Sequence, residues 1–417
     1  MVKIKPFKGI LPAKDLLDKV VAPPYDVLSF GDCKNLTENN KYSLIHITRS
    51  EADFPDGTDP YSQPIYDKAK ENLEAFLKNG ILVQDPDEYY YVYRQTMNGR
   101  TQTGFFCAAS AYDYMDGIIK KHENTRKDKE DDRIRHIKTT NCQCEPVFLA
   151  YKYNDALNVI LKNAVKSPAH FDFGTPDGTH HELWKVTDKN VIAAITAEFA
   201  KLDCLYIADG HHRSAAATNY CKAKDAELGN TNRSTDEEYQ YFMSVVFPDK
   251  DLYIYPYNRV IKKLPMTMDE FMNKVGEKFT VTKVNANDGE GYTPKNHGEV
   301  GLYINGSWYC LKYKGTIDKT DPVGSLDVAV LQNNILSPIL GINDPRTDKN
   351  IDFIGGIKGS AYLKGLVDSG EMCMAFSMYP TSIDELFAVA DKGLLMPPKS
   401  TWFEPKLLSG VMLHKLD

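Results

Sequence analysis

Runs of apolar residues with two different periods divide this chain. Between Ile65 and Asn79, Ala69, Leu73, Phe76 and Leu77 recur at helical spacing and Gly80 follows, which predicts a helix closed by its glycine. Tyr89 to Gln95 and Gly104 to Tyr112 read as strands, and Met97-Asn-Gly-Arg100 between them is a hairpin signal. Leu44 to Thr48, Cys144 to Tyr151, Leu205 to Ala208, Tyr241 to Phe247 and Met372 to Met378 also carry strand character. Tyr153 to Val165, Val191 to Ala200, Met268 to Phe279, Asp327 to Ile335 and Ile383 to Ala390 read as helices. A second hairpin turns at Asn305-Gly306, and Phe171 to Gly178 is a turn region. The charged stretch Lys127 to Arg133 reads as a solvated helix, whereas His122 and Glu123 follow an apolar pair and can face inward.

Strands and helices alternate without one repeating βαβ period, so the expected fold class is α+β. Three blocks are expected: residues 1–114, a core at 115–236, and residues 237–417. The polar linker Gly229 to Thr235 closes the second block.

Composition narrows the function classes. With 417 residues, 42% hydrophobic and 26% charged, the chain has the make-up of a multidomain globular protein. Its net charge of −7 argues against coating nucleic acid. The mean hydropathy is −0.42 and no apolar run reaches bilayer length, so no membrane association is expected. Eight scattered cysteines suit free thiols in a reducing, cytoplasmic setting; Cys142 and Cys144 are close, but Cys-x-Cys is not a usual zinc knuckle.

The densest chemistry lies at Leu205 to Ala217. A short strand meets Asp209-Gly-His-His-Arg213, and an alanine-rich helix begins. Free N–H groups and the helix dipole favour an anion there, and two imidazoles with a guanidinium suit a phosphate. Asp209 could hold a metal or take a proton. Near the other end, Met396-Pro-Pro-Lys-Ser-Thr401 is a proline-stiffened loop whose Lys399, Ser400 and Thr401 offer donors to a carboxylate or phosphate.

These residues together resemble a known group. Asp209-Gly-His-His-Arg213 after an apolar strand looks like the phosphate box of the ParB/sulfiredoxin-like superfamily, and within it the chain is most similar to the free serine kinases. Lys121-His-Glu-Asn124 resembles their segment with a catalytic glutamate, and Pro398-Lys-Ser-Thr401 their substrate segment. Along its whole length the chain also looks like a longer, poorly characterised family marked by Ala22-Pro-Pro-Tyr-Asp26, His122-Glu-Asn-Thr125, the Asp-Gly-His-His-Arg box and Met396-Pro-Pro-Lys-Ser-Thr401.

The resemblance implies Mg²⁺-dependent phosphorylation of free L-serine to O-phospho-L-serine, in cysteine or serine metabolism. Glu123 would be the base. Asp209 would bind Mg²⁺ and act with His212 in catalysis. Gly210, His211, His212, Arg213 and Ser214 would cradle the donor's phosphates, and Lys399, Ser400 and Thr401 the amino acid. No P-loop, kinase glycine loop or dinucleotide fingerprint is present, so ATP, ADP and pyrophosphate all remain open as donors. Another small alcohol remains open as acceptor, and so does the oligomeric state. A nucleotide-dependent nucleic-acid binder or nuclease is the alternative, and no helix-turn-helix follows the box. A sulfiredoxin-like reductase would need a cysteine where Gly210 or His211 stands.

Overall fold

Local patterns set most elements of the computed structural model, which describes residues 1–230, 232–233, 235–285 and 291–417. Thr231 and Ser234 of the expected linker lie outside the described residues. The helix α1 (Gln63–Lys78) buries Ile65, Tyr66, Ala69, Leu73 and Phe76. It ends as its pattern requires: Gly80 has φ 69°, and the Ile81 N–H returns to the Phe76 carbonyl.

The first unit, Met1–Leu252 with Pro405–Asp417, is built on a nine-stranded mixed sheet. Its strands are β1 (Ile4–Lys5), β2 (Tyr90–Met97), β3 (Arg100–Ser110), β4 (Ile119–Lys120), β5 (Val147–Tyr151), β6 (Phe171–Gly174), β7 (His180–Val186), β8 (Leu205–Asp209) and β9 (Tyr241–Pro248). They run in the order β4-β8-β5-β9-β3-β2-β7-β6, with β1 on β3. The β2–β3 hairpin turns through Asn98 and Gly99 at φ 50° and 76°, as Asn-Gly predicts. Two long helices, α2 (Lys127–Thr140) and α3 (His211–Leu228), pack against each other beside the sheet.

The second unit, Tyr253–Glu404, has a six-stranded antiparallel sheet: β10 (Tyr257–Ile261), β11 (Phe279–Val284), β12 (Glu299–Ile304), β13 (Ser307–Tyr313), β14 (Ile351–Gly355) and β15 (Met374–Met378). The order is β11-β13-β12-β15-β10-β14. The α+β class holds for both units. No helix among the described residues is long and apolar enough to cross a membrane.

Four differences from the sequence reading have physical causes. Leu44–Thr48, expected as a strand, contains a helical turn, Ile45–Thr48, closed by Thr48 N–H to Leu44 O and Arg49 N–H to Ile45 O. Ile45 and Ile47 enter separate apolar clusters, a demand that overrides β propensity. Phe171 to Gly174 is an edge strand rather than part of a turn, because it pairs with β7. The Lys127–Arg133 helix is solvated only in part. Asp132 and Arg133 are buried, paired at 2.7 Å, with the Tyr66 hydroxyl donating to Asp132 at 2.8 Å. Finally, the chain does not divide at residues 114 and 236. The pairing of β3 with β9 joins material from the first and third expected blocks in one sheet.

Candidate functional site

The strand β8 reaches the Asp-Gly-His-His-Arg box through a bulge. Ile207 faces Leu149 and Asp209 faces Phe148, so Ala208 is an extra residue that bends the strand end. Gly210 then takes φ 93° and caps α3 without a side-chain hydrogen bond to its first turn, where N–H groups favour negative charge. A Cβ on Gly210 would stand 3.1 Å from Arg213 Nε. Gly210→Ala is therefore expected to cost about 1–3 kcal/mol, read as a lower urea midpoint, and to push the Arg213 side chain aside.

Arg213 is the buried hub. It donates from Nη1 to the Pro146 carbonyl and from Nη2 to Asp209 Oδ2 at 3.2 Å, with Asp26 Oδ2 at 3.9 Å. Its Nε is buried with no hydrogen-bond partner. Burial works against the guanidinium's charge, but Asp26, Asp209 and Glu145 outweigh it and raise its pKa. Burial likewise opposes ionisation of Asp209, yet Lys406 above all, and then Arg213, hold its carboxyl down at about 2. Asp209 is thus a permanent anion and a poor base.

The two histidines fasten a loop. The His122 N–H lies 3.5 Å from His211 Nε2, their rings meet edge to face at 4.5 Å, and the Arg126 N–H donates to His212 Nε2 at 3.0 Å. Each imidazole accepts through Nε2, so each is neutral. Burial above all lowers both pKa values, with His122 the next cause at His211. Glu123, half-buried, sits on the loop so pinned, one residue from His122.

Burial also pushes the His122 pKa down to about 4, against the pull of its bond to the Ile207 backbone. The unfolded chain takes up this proton near pH 6.5 and the folded chain only near 4. Stability is then complete above pH 6.5 and falls as the pH drops towards 4, by roughly 1.4 kcal/mol per unit. Urea unfolding at pH 6.5 and 5 should show a loss of about 2 kcal/mol from His122 that His122→Gln removes.

Ser214 does not face a ligand with its hydroxyl. It is fully buried and bonds back to the Gly210 and His211 carbonyls at 3.3 and 3.0 Å.

Residues that no local pattern singles out complete the corner. Lys406 Nζ lies 3.7 Å from Asp209 Oδ2. Two buried glutamines in the β2–β3 hairpin position it: Gln102 donates to Gln95 and Gln95 to the Lys406 carbonyl, each at 2.9 Å. Behind Arg213, Glu145 accepts from the Tyr25 N–H at 3.0 Å and from the Ser409 hydroxyl at 2.7 Å, while Arg133 covers the Tyr25 ring at 4.2 Å. The Pro-Pro-Tyr-Asp motif was the available signal for this packing.

Lys399, Ser400 and Thr401 lie in the second unit. Lys399 has φ 57°, its carbonyl accepts from Arg259 Nη2 at 3.0 Å, and its ammonium stands 5.5 Å from the Tyr257 ring centre. Ser400 is buried and donates to the Pro397 carbonyl at 2.6 Å, so its hydroxyl holds the loop rather than facing outward. Thr401 is half-buried.

Asp209 does not fit a resident Mg²⁺ site. Its carboxylate already serves Arg213 and Lys406, and the described residues with three potential ligand atoms grouped together are Asp172, His180 and Glu182, on β6 and β7. Mg²⁺ prefers one or two free carboxylates together with substrate phosphates. A cavity of about 640 Å³ lies elsewhere, between Leu73 and Leu77 of α1, Thr140 of α2 and Tyr220 of α3, and does not border Asp209 or Glu123.

The chain is similar to several solved structures. One is a free serine kinase variant in complex with AMP (15% identity, TM-score 0.35, covering 72% of this chain and 87% of that one). Another is a conserved hypothetical protein from Pyrococcus furiosus (16%, 0.33, 72% and 90%). A third is SbnI with a C-terminal truncation from Staphylococcus aureus (11%, 0.37, 73% and 85%). No curated protein matches the sequence. The family described as "Protein of unknown function (DUF1015)" matches residues 4–329, and the chain belongs to that DUF1015 family.

Proposed function

We propose that the Asp209–Arg213 corner binds the phosphate of a donor and that the protein transfers a phosphoryl group to the hydroxyl of a small alcohol. The observation that carries this reading is the double fastening of the Glu123 loop to the box, through His122 on His211 and Arg126 on His212. These backbone bonds flank Glu123 and tie its loop to the first turn of α3, which supports pairing a carboxylate base with an anion-binding helix end, as phosphoryl transfer to an alcohol requires.

In the proposed step a hydroxyl oxygen attacks the donor's terminal phosphorus, and the bond to the leaving oxygen breaks. The hydroxyl proton passes to Glu123, and the shortened donor leaves. Arg213, Lys406 and the first-turn N–H groups of α3 hold the charge that moves onto the leaving oxygens. Asp209, anionic down to about pH 2, orients the two cations instead of accepting the proton. His211 and His212 fasten the loop, and Gly210 gives the helix end its approach. Mg²⁺ would arrive bound to the donor.

L-Serine is the proposed acceptor and O-phospho-L-serine the product; ATP, ADP and pyrophosphate are the candidate donors. The test is a product screen by phosphorus NMR. Purified protein and Mg²⁺ are incubated with L-serine or other small alcohols against each of the three donors. Phosphoserine is expected with one donor at least. No phosphorylated alcohol in any pairing overturns the reading.

A further inference from the structure

The second unit holds a buried positive charge without an acid. Arg259 on β10 is 3% exposed. Its guanidinium donates from Nη1 to the Tyr257 carbonyl and from Nη2 to the Lys399 carbonyl, and Nε has no partner among the described residues. No aspartate or glutamate among those residues pairs with it. Burial is the dominant influence on this group and lowers its pKa to about 10, with the Tyr257 hydroxyl opposing weakly. Elsewhere the chain compensates buried arginines: Arg133 has Asp132, and Arg213 has Asp209. A buried ion without a counter-charge is costly, so its retention calls for a reason.

Aromatic rings surround the guanidinium. The guanidinium packs 5.4 Å from the Phe353 ring centre, and Tyr257 meets both Phe353 and Trp402 edge to face at 5.9 and 5.0 Å. A Cβ on Gly355 would stand 2.7 Å from the Trp402 indole, so this aromatic wall is closely built. The Lys399 ammonium lies over Tyr257 at the same place.

We propose that Arg259, with Lys399, is an oxyanion receptor in the second unit and that its ligand is the carboxylate of a small organic acid. A planar guanidinium takes a carboxylate through paired N–H groups, which an ammonium cannot do. Inorganic phosphate shares that charge and is the alternative source. The inference stands independently of the phosphotransfer reading.

The receptor has a signature that a structural clamp lacks. Arg259→Met removes an uncompensated charge, so the unliganded variant should melt at or above the parent temperature while its carboxylate affinity falls tenfold or more. Thermal melting of the full chain is followed against rising L-serine, acetate and inorganic phosphate. The parent is expected to shift saturably with L-serine and acetate, more than with phosphate. Arg259→Met should lose that shift and Arg259→Lys keep a weaker one.

An Arg259→Met chain that melts below the parent, or that keeps the parent's carboxylate shift, overturns the proposal. A parent chain unmoved by L-serine and acetate does so too, and a shift with phosphate alone assigns the receptor to phosphate instead. Arg213→Lys separates the two readings. It should lose the response to pyrophosphate and retain the carboxylate shift, and an inactive protein that still shows that shift sinks the phosphotransfer reading alone.

Discussion

Replacing Glu123 by glutamine is expected to lower phosphoryl transfer by about 10²–10⁴, the usual cost of removing a positioned base. Donor affinity should stay within a few-fold of the parent. The substitution keeps the shape of the side chain, and the His122 and Arg126 backbone contacts that fix the loop do not involve it. The split matters more than the size. If Glu123 only shaped the loop, donor affinity and turnover would fall together. Initial rates across donor concentrations, with donor binding measured by calorimetry, decide between them. Near-parental turnover in Glu123→Gln removes the base assignment, and Asp209, held near a pKa of 2, does not inherit the role.

Arg213→Ala carries the largest expected cost to the fold, about 3–5 kcal/mol. The loss goes beyond one ion pair. Removing the guanidinium takes from Asp26, Asp209 and Glu145 the buried cation they share, and leaves the Pro146 carbonyl without its donor. Urea unfolding reads the stability. Donor affinity is better read in Arg213→Lys, which keeps a charge but not the fork reaching Pro146 and Asp209 together. There the affinity for pyrophosphate or nucleotide should fall about tenfold or more. A folded Arg213→Lys protein with parental donor affinity would leave the corner as a structural junction only.

The two substitutions probe residues that differ in how far the sequence reveals them. The Asp-Gly-His-His-Arg box, its preceding strand and its helix are legible because each rests on neighbours in the chain. Leu205 to Ala208 is an apolar run, Gly210 supplies a positive φ, and α3 starts where alanines begin. The hairpins at Asn98-Gly99 and Asn305-Gly306 follow from two residues that tolerate φ above zero. The helices at Met268–Lys278 and Ile383–Asp391 open with capping boxes written locally as Thr267 with Glu270 and Ser382 with Glu385.

What a side chain does inside the corner was not legible there. His211 and His212 are neutral because burial and a donated backbone N–H decide their protonation, and the donors come from a loop some ninety residues earlier. Lys406 arrives from a segment almost two hundred residues beyond Asp209, held by glutamines of another hairpin. Arg259 looks like any strand arginine until the acids around it are counted.

The sequence by itself thus determined the turns, the helix ends and the clustering of an aspartate, two histidines and an arginine at one strand–helix junction, since these depend on backbone sterics and hydrogen bonds over a few residues. Only the tertiary structure decided which charges are paired, which imidazoles stay neutral and how the chain divides into units. Those outcomes depend on burial and on Coulomb partners brought together across long stretches of chain, and desolvation there outweighs local preference.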